Sequence, residues 1–136
     1  MTDKSKDVRY GLMNEIKLLD LLKNSLPYCN DITKTNNRFH AVDYQSDITN
    51  CELKSRRIKH DDFPTALINC SKIEFMRQDG KEYNYLVWNY LDGIYYLKVE
   101  FDFFDMLEPE IHKVYRDGKC QTNNVYKIHH KYLTKL

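Results

Sequence analysis

Phe39-His40-Ala41-Val42-Asp43-Tyr44-Gln45-Ser46-Asp47-Ile48-Thr49-Asn50-Cys51-Glu52-Leu53-Lys54 is the stretch whose reading decides the fold. Residues 39–45 and 50–56 read as two strands, with turn-forming residues between them. A turn near Asp47-Ile48 sets Asp43 opposite Glu52, with Cβ atoms roughly 5 Å apart. A turn at Gln45-Ser46 would pair Asp43 near Ile48 instead and let Asp47 compete for its place. Glu52 and Lys54, two apart in a strand, project from one face, while Cys51 and Leu53 take the opposite, apolar face.

An acid two residues before a lysine occurs four times: Glu15-Ile16-Lys17, Glu52-Leu53-Lys54, Asp79-Gly80-Lys81 and Asp117-Gly118-Lys119. Glu15 and Lys17 lie in a helical pattern, where residues two apart diverge. The two Asp-Gly cases are turn sequences. Only Glu52 and Lys54 lie on one strand face. Like charges opposed across strands are destabilising unless something positive compensates. A hard divalent cation held by the two carboxylates, with Lys54 beside it, compensates, and it is what metal-dependent phosphodiester hydrolysis needs.

Outward from this hairpin, residues 7–25 read as a helix capped by Asp7 and closed by Pro27, with Leu12, Ile16, Leu19, Leu22 and Leu26 on its apolar face. Residues 28–38 read as a loop with a short extended piece, and 57–64 as a polar, mobile connection. A second helix is expected over 65–78, ended by Asp79-Gly80. Strands over 83–90 and 94–100 flank Asp92-Gly93, a hairpin signal. A short helix over 101–107 precedes a weaker hairpin turning at Asp117-Gly118. This order predicts the α/β (α+β) class: a single domain, 1–136, around one central mixed β-sheet flanked by helices, with its core over about 7–100 and a C-terminal extension over 101–136.

Composition excludes several classes. Hydrophobic content of 42% and charged content of 30% argue against disorder. No apolar run approaches a membrane span, and the charged start is not that of a secretory leader. Cys29, Cys51, Cys70 and Cys120 have no zinc spacing, and Cys51 and Cys70 sit in apolar patterns, so an intracellular, reduced protein is expected. The net charge of +1 makes no global demand for nucleic acid, but Lys54, Arg56, Arg57 and Lys59 place four cations within six residues. His60 reads as a surface histidine, and His129-His130 lacks partners at metal spacing.

The pattern resembles the PD-(D/E)xK nuclease superfamily over roughly residues 10–100. Asp43 matches its first acid, Glu52 and Lys54 its triplet, and Glu15 a glutamate that many members carry on the first helix. Val42 stands where the proline of the name would be. The resemblance implies a restriction-endonuclease-like core and a Mg²⁺- or Mn²⁺-dependent endonuclease cutting DNA, in which Asp43, Glu52 and the Leu53 carbonyl hold the metal. Lys54 would orient or deprotonate the attacking water, and Glu15 would hold a metal-bound water or stand as an ordinary helix glutamate. Arg56, Arg57 and Lys59 would contact phosphates, and Lys72 would approach the site from its helix. At this size a structure-selective enzyme such as a junction resolvase, working as a homodimer, is expected. The alternative keeps the nuclease fold without catalysis and binds nucleic acid, or is a phage or viral protein that binds a host protein.

Overall fold

The computed structural model describes residues 3–35 and 41–136. Its elements are helix α1 (Asp3–Ser25), strands β1 (Thr33–Lys34), β2 (Tyr44–Gln45), β3 (Thr49–Ser55) and β4 (Thr65–Asn69), helix α2 (Cys70–Asp79), strands β5 (Tyr83–Tyr90) and β6 (Gly93–Lys98), helix α3 (Phe101–Asp105), and strands β7 (Glu110–Arg116), β8 (Lys119–His129) and β9 (Thr134–Lys135). Six strands form one sheet in the order β1-β2-β3-β5-β6-β9; β3 and β5 run parallel and the other neighbours antiparallel, so the sheet is mixed. A second, antiparallel sheet has the order β4-β8-β7. The class is α+β, as expected. Among the described residues, no helix is long and apolar enough to cross a membrane.

Two apolar layers sandwich the mixed sheet. Leu22 of α1 and Leu26 just beyond its end pack with Cys51, Leu53, Tyr85 and Val87 on one face. On the other, Leu86 and Trp88 pack with Ile68, Ile73, Met76, Phe104 and Ile128. Consecutive β5 residues therefore serve opposite layers, which is why Tyr85 to Trp88 read as an unbroken apolar run.

Several expectations are corrected. Helix α1 begins at Asp3, ahead of the cap expected at Asp7. Its core-facing row runs through Leu18, Leu19, Leu22 and Leu26, and that phase turns Ile16 outward to 68% exposure. The helix expected over 65–78 opens as a strand: Ala66 and Ile68 alternate inward while Thr65–Asn69 pairs along its length with β8. Tertiary pairing there overrides a helical spacing that holds only from Cys70 onward. The second sheet, and not helices alone, thus flanks this face. Gly80 ends α2 as expected, in the left-handed region with φ 71° and its N–H on the Met76 carbonyl. The first strand reduces to the ladder pair Tyr44–Gln45; its expected start, Phe39 and His40, lies outside the described residues.

The polar connection at 57–64 is held at several points by hydrogen bonds. The Leu91 N–H donates to Ile58 O at 2.9 Å, and the Lys59 N–H donates to Asp62 Oδ2 at 2.8 Å. The Asp92 carboxylate takes both the backbone N–H of His60, at 2.9 Å, and its ring Nδ1, at 2.6 Å. His60 also stacks on Tyr95 with ring centroids 4.4 Å apart, so it is a latch between this connection and the β5–β6 turn. All four cysteines are free, with Cys51 buried and Cys70 half-buried.

Candidate functional site

The site begins with the turn after β2. Ser46 Oγ accepts from the Ile48 and Thr49 amides at 3.3 and 3.1 Å, and the Ser46 amide donates to Thr49 O at 2.9 Å. That closes the hairpin around Asp47-Ile48 and fixes the register Tyr44↔Cys51, Gln45↔Asn50. One step further along the same register, Asp43 faces Glu52. The exposed Asp47 stays at the turn, away from the site.

Pairing stops at Tyr44, which leaves the next outward-facing amide of β3 without a ladder carbonyl. Asp43 Oδ2 accepts that amide, Leu53 N–H, at 2.7 Å. The N–H and C=O of one strand residue point toward the same neighbour, so the Leu53 carbonyl faces this edge too. Thr35 anchors Asp43 from behind: its amide donates to Asp43 O at 2.9 Å and its hydroxyl to Val42 O at 3.0 Å.

Glu52 is 4% exposed, on the sheet face that carries Leu86 and Trp88. Its Oε2 lies 3.3 Å from Lys72 Nζ, which also donates to Ala41 O at 2.6 Å. Its Oε1 is buried and has no hydrogen-bond partner. Glu15 arrives from α1 beside Asp43, with Oε2 3.4 Å from Lys34 Nζ. The three acids form a chain, Glu15–Asp43–Glu52, with Asp43 in the middle.

This crowding shows in the proton affinities. Burial, then the hydrogen bond and charge of Asp43, raise Glu15 to about 7 against the pull of Lys34. Burial and the Asp43 charge raise Glu52 to about 8, and the opposing charges of Lys72 and Lys54 do not offset them. The ion pair with Lys72 alone would lower Glu52; at 4% exposure the loss of solvation is the larger effect. Asp43, Glu52 Oε1 and the Leu53 carbonyl are the hard oxygen donors on this edge.

The basic residues divide. Lys54 shares the Glu52 face and makes no ion pair among the described residues; with Arg56 it lines a cavity of about 510 Å³ between the two sheets. Arg57 turns the other way, its guanidinium 4.6 Å from the Tyr10 ring centroid on α1. Lys59 is exposed on the 57–64 connection. Lys72, the third residue of α2, reaches the Glu52 carboxylate. A separate group, His60, Asp61 and Asp92, has its ligand atoms within 4.8 Å of one another, but the 2.6 Å His60–Asp92 hydrogen bond already occupies Nδ1. No such closed triangle joins Glu15, Asp43 and Glu52.

Lys34 and Tyr44 escaped sequence reading. Lys34 reaches the site only because β1 pairs with β2 in the register Lys34↔Tyr44, a two-residue ladder with no strand signal of its own. Tyr44 is fully buried, and its hydroxyl donates to Glu15 O at 2.6 Å, which fixes α1 over the hairpin. Tyr44→Phe is expected to lower stability by about 1 kcal/mol, measured by urea unfolding. An unchanged midpoint would remove this bond from the account. Comparison of the chain with family models, with curated proteins and with solved structures gave no match.

Proposed function

We propose that this chain is a divalent-metal-dependent endonuclease of the PD-(D/E)xK type acting on DNA. The observation that carries the reading is the meeting of Asp43 and Glu52 across the β2–β3 hairpin, with Glu52 Oε1 buried and unpartnered. An orphaned buried carboxylate oxygen is costly, and a cation at this edge would remove that cost. The residues fit Mg²⁺ or Mn²⁺, held by Asp43, Glu52 and the Leu53 carbonyl. When bound, such an ion supplies positive charge to the phosphate and acidifies water.

The protein's own groups supply the rest. Lys54 stands on the Glu52 side of the strand, where its ammonium can neutralise charge building on the scissile phosphate and orient the attacking water. Lys72, braced by Ala41 O, holds the Glu52 carboxylate in place. Glu15, raised to about 7, is poised to take or return a proton near neutral pH. Arg56 contacts a flanking phosphate. Cutting both strands of a duplex or a branched substrate calls for two sites, hence a two-fold dimer.

The test is cleavage of plasmid, linear, single-stranded and branched DNA with Mg²⁺ or Mn²⁺. Wild type is expected to cut at least one of these, and Lys54→Ala to cut it about 10²-fold more slowly. No cleavage of any substrate by wild type, or full activity in Lys54→Ala, would sink the proposal.

A further inference from the structure

The cavity between the two sheets begins where the proposed catalytic lysine ends. Lys54 of β3 and Arg56 just after it line one wall; Gln121, Asn123 and Lys127 line the other, from β8; Asn69 lines it too. Among the described residues that line it there is no Asp or Glu, in a chain with 20 acids. Lys127 shares its charge with Glu110 at 3.3 Å outside the cavity, whereas Lys54 and Arg56 make no ion pair among the described residues. Phe63, 57% exposed, stands at the edge and offers a flat apolar face.

From this we infer that the cavity is a binding site for an unpaired segment of DNA strand, and that the substrate is therefore selected for single-stranded character beside the scissile bond. A volume of about 510 Å³ is that of a pocket for one small ligand, so a flipped or unpaired nucleotide fits and a stacked duplex does not. Cations along the wall suit the phosphates, the side-chain amides suit base edges, and Phe63 suits stacking on a base. The choice of ligand rests on the nuclease reading, because the cavity shares Lys54 with that site.

The β7–β8 hairpin provides a clean test. Residues 121 and 123 face the cavity, and 122 and 124 alternate to the hairpin's opposite face. Binding of a labelled 12-nucleotide oligothymidylate and of a 12-base-pair duplex is followed by fluorescence anisotropy in EDTA, so neither metal nor cleavage contributes. Wild type is expected to bind the single strand at least about tenfold more tightly than the duplex. The double variant Gln121→Glu/Asn123→Asp should lose about tenfold or more of that affinity. Thr122→Glu/Asn124→Asp, with the same charge change on the other face, should lose less than about threefold. Equal or tighter duplex binding by wild type overturns the inference, as does equal loss in the two variants. Single-strand binding of the expected pattern without cleavage activity overturns the nuclease reading and leaves the cavity assignment standing. Cleavage without the binding preference does the reverse.

Discussion

Glu52→Gln is expected to reduce DNA cleavage by about 10³-fold, the several kcal/mol a bound cation contributes, and at the same time to raise the melting temperature of the metal-free protein above pH 7. The two effects share one cause. Glu52 is 4% exposed, and burial together with the Asp43 charge makes its ionised form unfavourable. Glutamine keeps the shape and removes the charge, so the metal-free fold gains while the cation loses a ligand. A functional site commonly shows this opposition between stability and activity. Cleavage rates and thermal melts of the same two proteins check it. A variant that retains activity would exclude Glu52 as a ligand, and one that melts lower than wild type at alkaline pH would refute the burial argument.

The second large effect is a pH dependence that a metal reverses. Folding raises Glu15 from 4.5 to about 7 and Glu52 from 4.5 to about 8. Between these limits the folded chain binds more protons than the unfolded one, so stability falls as pH rises. The loss runs from 4.5 up to about 8 and is complete above that. Melting temperature without metal should therefore drop by about 5 °C or more between pH 5.5 and pH 8.5. Mn²⁺ binds the ionised carboxylates, so its stabilising effect should grow across the same window, and Asp43→Ala should lose it. Thermal melts with EDTA and with Mn²⁺ measure both. A flat metal-free profile, or equal Mn²⁺ stabilisation in Asp43→Ala, would contradict the arrangement.

The parts of this molecule legible in the sequence are those set by local chemistry. The Asp47-Ile48 turn, the facing of Asp43 and Glu52, the strand β5 and the stop at Gly80 each follow from residues within a few positions. The β7–β8 hairpin likewise follows from Asp117-Gly118, both left-handed, with φ 52° and 76°. What stayed hidden depends on distant partners. Thr65–Asn69 becomes a strand because β8 lies beside it, and Lys34 joins the site through a ladder of two residues. Spacing placed Arg56 and Arg57 together, whereas just past the end of β3 at Ser55 one goes to the cavity and the other onto Tyr10.

The early end of β2 has one more consequence. A β2 two residues longer would carry the ladder on to Val42 opposite Leu53 and make a better sheet. The Val42 carbonyl would then satisfy Leu53 N–H, and Asp43 would have no amide to hold it there. The gap leaves β3 without a ladder partner beside Leu53, and an unpaired strand edge is where a foreign strand could add itself. Crowded carboxylates and lysines guard that margin by charge. The chain thus gives up one rung of sheet, and the same edge we propose as the cation site carries the charges that repel a second copy of the strand.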